Sequence, residues 1–175
     1  IDMIELNKKY LFKENVTGAE VDVASLIIKK QDNELVFEFE VIDDSIYSPY
    51  QQDNEDLYDG DTVEVFISFD GNLKRYYEYE LSPYGLRFFG VIDNPTLECP
   101  KLTKLAPTFK SETQLTDKGY KASIIIDAKS LNLDLVRINC FNIDSAPNRS
   151  QKLYALNPTL SGSFHKSSFF VKISQ

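Results

Sequence analysis

Apolar and polar residues alternate along one short segment after another, and a period of two calls for sheet, not helix. "ELVFEFEVID" (34–43) sets Leu35, Phe37, Phe39 and Val41 against Val36, Glu38, Glu40 and Ile42. "TVEVFISFD" (62–70) sets Val63, Val65, Ile67 and Phe69 against Thr62, Glu64, Phe66 and Ser68. "YYEYELS" (76–82) puts Tyr77, Tyr79 and Leu81 on one face, and "LRFFGVID" (86–93) follows the turn "SPYG" as its hairpin partner. Two more strands flank the turn Asp117-Lys118-Gly119, and "LVRINCFNID" and "SSFFVKIS" close the series. Asn94 to Leu105 reads as a loop, and the short mixed runs "NKKY" and "KKQDNE" as solvated turns. No stretch holds a helical period beyond a turn after Asp127. The expected fold is all-β: about eight to ten short strands in an antiparallel two-sheet β-sandwich of jelly-roll type. Residues 1–175 are expected to form one domain. Phe37, Phe39, Val63, Val65 and Ile67 are the expected core, because a slip of one residue would turn each strand inside out.

Composition narrows the function classes. Hydrophobic residues are 42% and charged residues 26% of the chain, which excludes wholesale disorder. No apolar run approaches the roughly 18 residues of a transmembrane helix. The first residue is Ile1 and not Met, which suggests a processed or trimmed product, so the lack of a secretory leader says little about compartment. A net charge of −8 argues against nucleic acid as a partner, since phosphate backbones select basic faces. Cys99 and Cys140 match no metal spacing, and Cys140, inside "VRINCFNI", is expected to be a buried small hydrophobe.

Candidate chemistry is sparse. A single histidine, His165, excludes the common His-based zinc sites and is expected to pack or hydrogen-bond in the last loop. There is no Gly-x-Ser-x-Gly elbow and no phosphate-binding glycine loop. Counting carboxylates does not test for a glycosidase pair, which is defined by separation across a cleft. The acidic run Asp53, Glu55, Asp56, Asp59 and Asp61 offers oxygen ligands to calcium, with Asp59 and Asp61 as the named candidates, but lacks EF-hand spacing. A solvated loop is the competing expectation. No other cofactor is expected. The puzzle is Glu64, a carboxylate in the middle of an apolar strand, with Tyr58 six residues before it.

"LYDGDTVEVFISFD" resembles the central motif of the family 9 carbohydrate-binding modules and their family-9-like relatives. There an aromatic stands three residues before an Asp, followed by a hydroxyl residue, an apolar residue and Glu, on a strand ending in Asp. Tyr58, Asp61, Thr62, Val63, Glu64 and Asp70 hold those positions here. "YYEYELSPYG" is similar to the family's next strand, "VRINCFNID" to its Arg-x-Asn-Phe strand, and "LYALNPTLSGSFHKSSFFVKI" to its closing segment. In that family two tryptophans sandwich a sugar ring while Glu and other polar groups bind its hydroxyls. The resemblance therefore implies stacking at Tyr58 and hydroxyl binding at Glu64, in a chain without Trp. It places the second stacking position at Leu156, and Tyr154, on the same side of an extended segment, is the candidate replacement. Asn157, the polar residue before Pro158, joins the implied sugar contacts. Glu78 stands where family members carry Arg, and Arg87 is the alternative hydroxyl reader.

The implied function is non-catalytic binding of an oligo- or polysaccharide, by a monomeric domain of an extracellular, cell-surface or periplasmic bacterial protein. Such a domain is free-standing or attached to others, for instance as an accessory to a glycoside hydrolase. A sandwich that mediates protein contacts or spaces domains without binding sugar is the competing class, favoured by the missing tryptophans. A glycoside-active enzyme has no catalytic pattern in its support, and a haem-binding relative would have only Met3 and His165 to offer.

Overall fold

Residues 1–175 are all described in the computed structural model of this chain, and the alternating segments are strands in it. The N-terminal region carries β1 (Met3–Glu5), β2 (Lys9–Glu14), β3 (Glu20–Gln31) and β4 (Glu34–Ile42). The middle carries β5 (Thr62–Ser68), β6 (Arg75–Leu81), β7 (Arg87–Asp93) and β8 (Lys101–Lys104). The remainder carries β9 (Lys110–Leu115), β10 (Gly119–Asp127), β11 (Arg137–Ser145), β12 (Gln151–Ala155) and β13 (Val171–Ser174). Helix is confined to single 3₁₀ turns at Leu57–Asp59 and Ser167–Phe169.

Thirteen strands replace the expected eight to ten, and several of the additional residues lie in runs that look polar in sequence. Lys9 and Tyr10 begin β2, and Lys29 to Gln31 finish β3, so only Asp32 and Asn33 make the turn, with Asp32 at a φ of 53°. β8 forms within the 94–105 loop by pairing with β7 at the sheet edge. Backbone pairing at an edge needs no buried side chains, which is why alternation does not announce it.

The hydrogen-bonded order is β8-β7-β6-β5-β11-β12-β2-β3-β4-β10-β9, with β13 on β11 and β1 on β13. Every pairing is antiparallel except β1 with β13. β12 meets β2 through Tyr154↔Glu14 and Ala155↔Lys13 alone. The sheet curls at that narrow seam and folds over itself as two facing layers. Leu26, Ile28, Phe37, Phe39, Val41, Ile124 and Ile126 point inward from one layer. Val63, Val65, Ile67, Tyr79, Leu81, Ile138 and Cys140 meet them from the other. The five expected core residues are all among them and at most 2% exposed. Each such burial stabilises by about 1.5–3 kcal/mol relative to exposure.

The β5 layer has a second apolar face. Phe66, Tyr76, Ile92, Phe141, Ile143, Ala155 and Phe164 form a separate buried cluster on its outside. Leu153, Leu102, Tyr58 and Phe170 pack around this cluster. All seven residues of β5 are consequently buried, the polar ones included.

Candidate functional site

The outer face of β5 opens into a cavity of about 400 Å³ lined by Tyr58, Glu64, Phe66, Glu78, Leu153 and His165, among others. Tyr58 reaches it from the 3₁₀ turn, which is anchored by the fully buried Leu57 and closed by the Gly60 N–H donating to the Leu57 carbonyl (2.9 Å). Gln151 Nε2 donates to the Tyr58 carbonyl at 2.7 Å and to Ser145 Oγ at 3.0 Å, which ties the turn to β11 and β12. The Tyr58 ring stands edge-on to Phe88, with centroids 5.9 Å apart. Burial, reinforced by the charge of Asp56, pushes its phenol pKa up, so the hydroxyl remains a neutral donor.

Glu64 is 2% exposed and accepts a hydrogen bond from Thr62 Oγ1 at 2.9 Å. Across the ladder it faces Glu80, and Phe66 faces Glu78, so three glutamates gather on one face. Burial raises Glu64 and Glu80 well above the usual carboxylate range, and the neighbouring glutamates push in the same direction. His165 lies over Phe66 with ring centroids 4.8 Å apart. Its Nδ1 shares a 2.8 Å hydrogen bond with the Tyr76 hydroxyl, and its Nε2 is 3.5 Å from Glu78 Oε1. Burial lowers the imidazole pKa, against an opposing pull from Glu78, so the ring is held toward its neutral form. In the tautomer protonated on Nε2, Tyr76 donates to Nδ1 and the Nε2 proton points to Glu78; in the other, Nδ1 donates to the Tyr76 hydroxyl. The cavity thus combines aromatic surface with acceptors and a few donors, and no lysine or arginine lines it.

Of the residues named from sequence, Tyr58, Glu64 and Asp59 line this cavity together. Tyr154 and Leu156 share a side of the β12 segment, as expected, but it is the core side; they are 8% and 3% exposed within the main core. The alternate residues Gln151 and Leu153 are the ones that face the cavity. Arg87 does not reach it either. Its Nη2 pairs with Asp53 at 3.1 Å and its Nη1 donates to the Phe109 carbonyl at 2.7 Å. Asn157 Nδ2 donates to the Phe169 carbonyl at 2.7 Å, and its N–H donates to Asn139 Oδ1 at 3.1 Å, so it braces the exit of β12.

Asp61 parts company with Asp59. It is fully buried, and the carboxylates that approach it are Asp43 and Asp144. Its two oxygens accept the N–H of Tyr47 and of Ser145, each at 2.7 Å, which clamps the segment before β5 onto β11. Burial, with the Asp43 side chain adding to it, raises Asp61 to about 8. Phe66, Leu153, Phe164 and Gln151 went unread as lining residues. Period two from Glu64 was the available signal for Phe66, whereas Phe164 is brought over the strand only by tertiary packing.

The model of a family described as "Carbohydrate family 9 binding domain-like" matches residues 6–152. No curated protein matches the sequence. Among solved structures, a candidate carbohydrate-binding protein from Bacteroides uniformis aligns with a TM-score of 0.78 at 14% identity, covering 99% of this chain and 98% of its own. A family 9 carbohydrate-binding module from Caldicellulosiruptor kristjanssonii in complex with glucose aligns at 0.69 and 14% identity, over 98% of this chain and 95% of that one. The same organism's module in complex with cellotriose gives 0.67 and 14%, over 99% and 92%. At such identities the structural likeness is one of fold.

Proposed function

This chain belongs to the carbohydrate family 9 binding domain-like family, whose members are non-catalytic binding modules, and on that premise we propose that the cavity on β5 is its sugar site. One observation carries the proposal: Tyr58 and Glu64, which come from different elements, line the same cavity. In this reading a sugar ring lies against the Tyr58 face, and its hydroxyls bond to Glu64, to the neighbouring Glu78 and to Gln151. The structural neighbours that hold glucose and cellotriose support glucose-containing oligosaccharides as the first ligands to try.

The proposal extends to setting. Residues 1–175 act as one binding domain, monomeric, outside the cytoplasm of a bacterial cell (extracellular, cell-surface or periplasmic), alone or as an accessory to a larger enzyme. Modules of this family typically occur in secreted proteins, which supports the location. No helix is long and apolar enough to cross a membrane.

The competing reading, a sandwich that serves protein contacts without sugar, draws on one observation. Tyr58 is the single Tyr or Phe ring lining the cavity that is not buried, since Phe66 is 1% and Phe164 8% exposed. A glycan array followed by calorimetry with glucose and cellotriose separates the two. Tyr58→Ala and Glu64→Ala are each expected to cost about 1.5–3 kcal/mol of binding while the circular dichroism stays native. Wild-type protein that binds no glycan would favour the protein-contact reading. Binding untouched by both substitutions would place the sugar elsewhere.

A further inference from the structure

We propose that Glu64, Glu78 and Glu80 form a binding site for a divalent, oxygen-preferring cation of the calcium class. The site opens into the cavity through Glu64 and Glu78. A carboxylate oxygen from each of the three lies within 4.8 Å of the others. Oxygens around one calcium ion at about 2.4 Å are at most about 4.8 Å apart, so the three fit a single coordination sphere. The arrangement is fixed by the β5–β6 register, which sets Glu64 opposite Glu80 and Phe66 opposite Glu78.

The ion pairs of the fold leave these three carboxylates without a lysine or arginine partner. The three residues are 2%, 3% and 0% exposed. Both oxygens of Glu80 are buried and no amide, hydroxyl or basic group donates to them; the polar contact they do make is with the carboxyl of Glu78, another acid. Buried carboxylates require donors or counter-charge, and like charges facing each other across a ladder destabilise it. The flanking strands supply neither remedy. Glu64 faces Phe141 on β11, while Glu80 and Glu78 face Phe88 and Gly90 on β7. The nearby cations are engaged elsewhere, Lys104 with Asp56 and Arg87 with Asp53. Thr62 donates one hydrogen bond to Glu64, and His165 stands 3.5 Å from Glu78.

A divalent cation turns three repelling groups into ligands and gives the Glu80 oxygens a cationic partner. Three carboxylates supply three to six oxygens, which suits the six to eight that calcium takes at flexible geometry better than the strict octahedron of magnesium. The open cavity leaves room for water to complete the sphere. The Asp43, Asp61 and Asp144 group, in which Asp144 is only half-buried, differs on the decisive point, because both Asp61 oxygens already accept backbone N–H groups.

The test uses the full chain, stripped with chelator, desalted and titrated with calcium chloride with no sugar present, so its outcome does not depend on the sugar reading. Calorimetry is expected to show saturable binding, accompanied by a rise in melting temperature. Terbium in place of calcium should luminesce on excitation of tyrosine, since Tyr58 lines the same cavity. Glu80→Gln is expected to weaken calcium binding about tenfold or more, as even loss of an outer-shell partner does. Glu78→Gln, at the cavity wall, gives the same reading if Glu80→Gln fails to fold. Wild-type protein with no heat and no thermal shift at millimolar calcium would overturn the proposal and assign the charge balance to shared protons. Unchanged affinity in the glutamate variants would overturn it as well, and put calcium at another acidic group.

Discussion

Cys140 has no exposed surface, and burial alone pushes its thiol pKa well above the usual range, whereas Cys99 lies exposed just beyond β7. Only a thiolate reacts with a disulfide reagent, and only where the reagent can reach it. Ellman's reagent is therefore expected to titrate one fast thiol per native chain and two in denaturant. Two fast thiols in native buffer would mean that the core around Cys140 opens readily. The apolar run around Cys140 predicted its burial, whereas period two is what separates Leu153 from Tyr154. Alternation says that Tyr154 and Leu156 share a side, but it cannot say which side holds the core. That depends on β12 lying antiparallel against β11, with Tyr154 opposite Asn142, and on the layer packed beneath them.

Among the elements, β5 is covered on both faces, so its outward residues carry as much packing as its inward ones. Phe66 stacks on Tyr76 at 5.6 Å between centroids and meets Phe141 edge-on at 4.9 Å. Phe66→Ala is accordingly expected to cost about 3–5 kcal/mol in a urea unfolding curve, the range of a core phenylalanine and not of a half-exposed strand residue. A loss under about 1 kcal/mol would mean that the C-terminal segment does not cover this face in solution. The β2–β3 turn gives a pH-dependent case. Glu14 accepts hydrogen bonds from Thr17 Oγ1 at 2.7 Å and from the Thr17 N–H at 2.6 Å, and the side-chain bond is the first cause of its lowered pKa. A folded pKa below the unfolded one stabilises fully above the unfolded value, near 4.3, and that contribution fades as pH falls through the folded value. Thr17→Ala should then lower stability more at neutral pH than at a pH below the folded Glu14 value, and raise the Glu14 pKa in a carboxyl NMR titration. An equal loss at both pH values would assign the effect to turn conformation and not to the carboxylate.

For the molecule as a whole, the long-range decisions are the curl at the β12–β2 seam and the segment carrying Phe164 and His165 across the outside of β5. The first makes one sheet into two layers. The second turns a sheet face that alternation would leave half-solvated into a covered cavity, bringing Tyr58 from a 3₁₀ turn and His165 from the last loop to the same place. The local pairings were legible from residues. β4, β5, β6, β7 and β10 lie close to where alternation put them, and the five expected core residues are inside. The motif around Tyr58 and Glu64 was legible too, because its residues are close in sequence. The opposite wall was not, nor was the meeting of Glu64, Glu78 and Glu80, which requires the β5–β6 register. By itself the sequence determined strand character and which residues share a face, since backbone geometry sends successive side chains to opposite sides of any strand. Only the tertiary structure decided which of those faces meet the core, which are roofed over and which acids are left without a basic partner, because these depend on what distant segments bring against them.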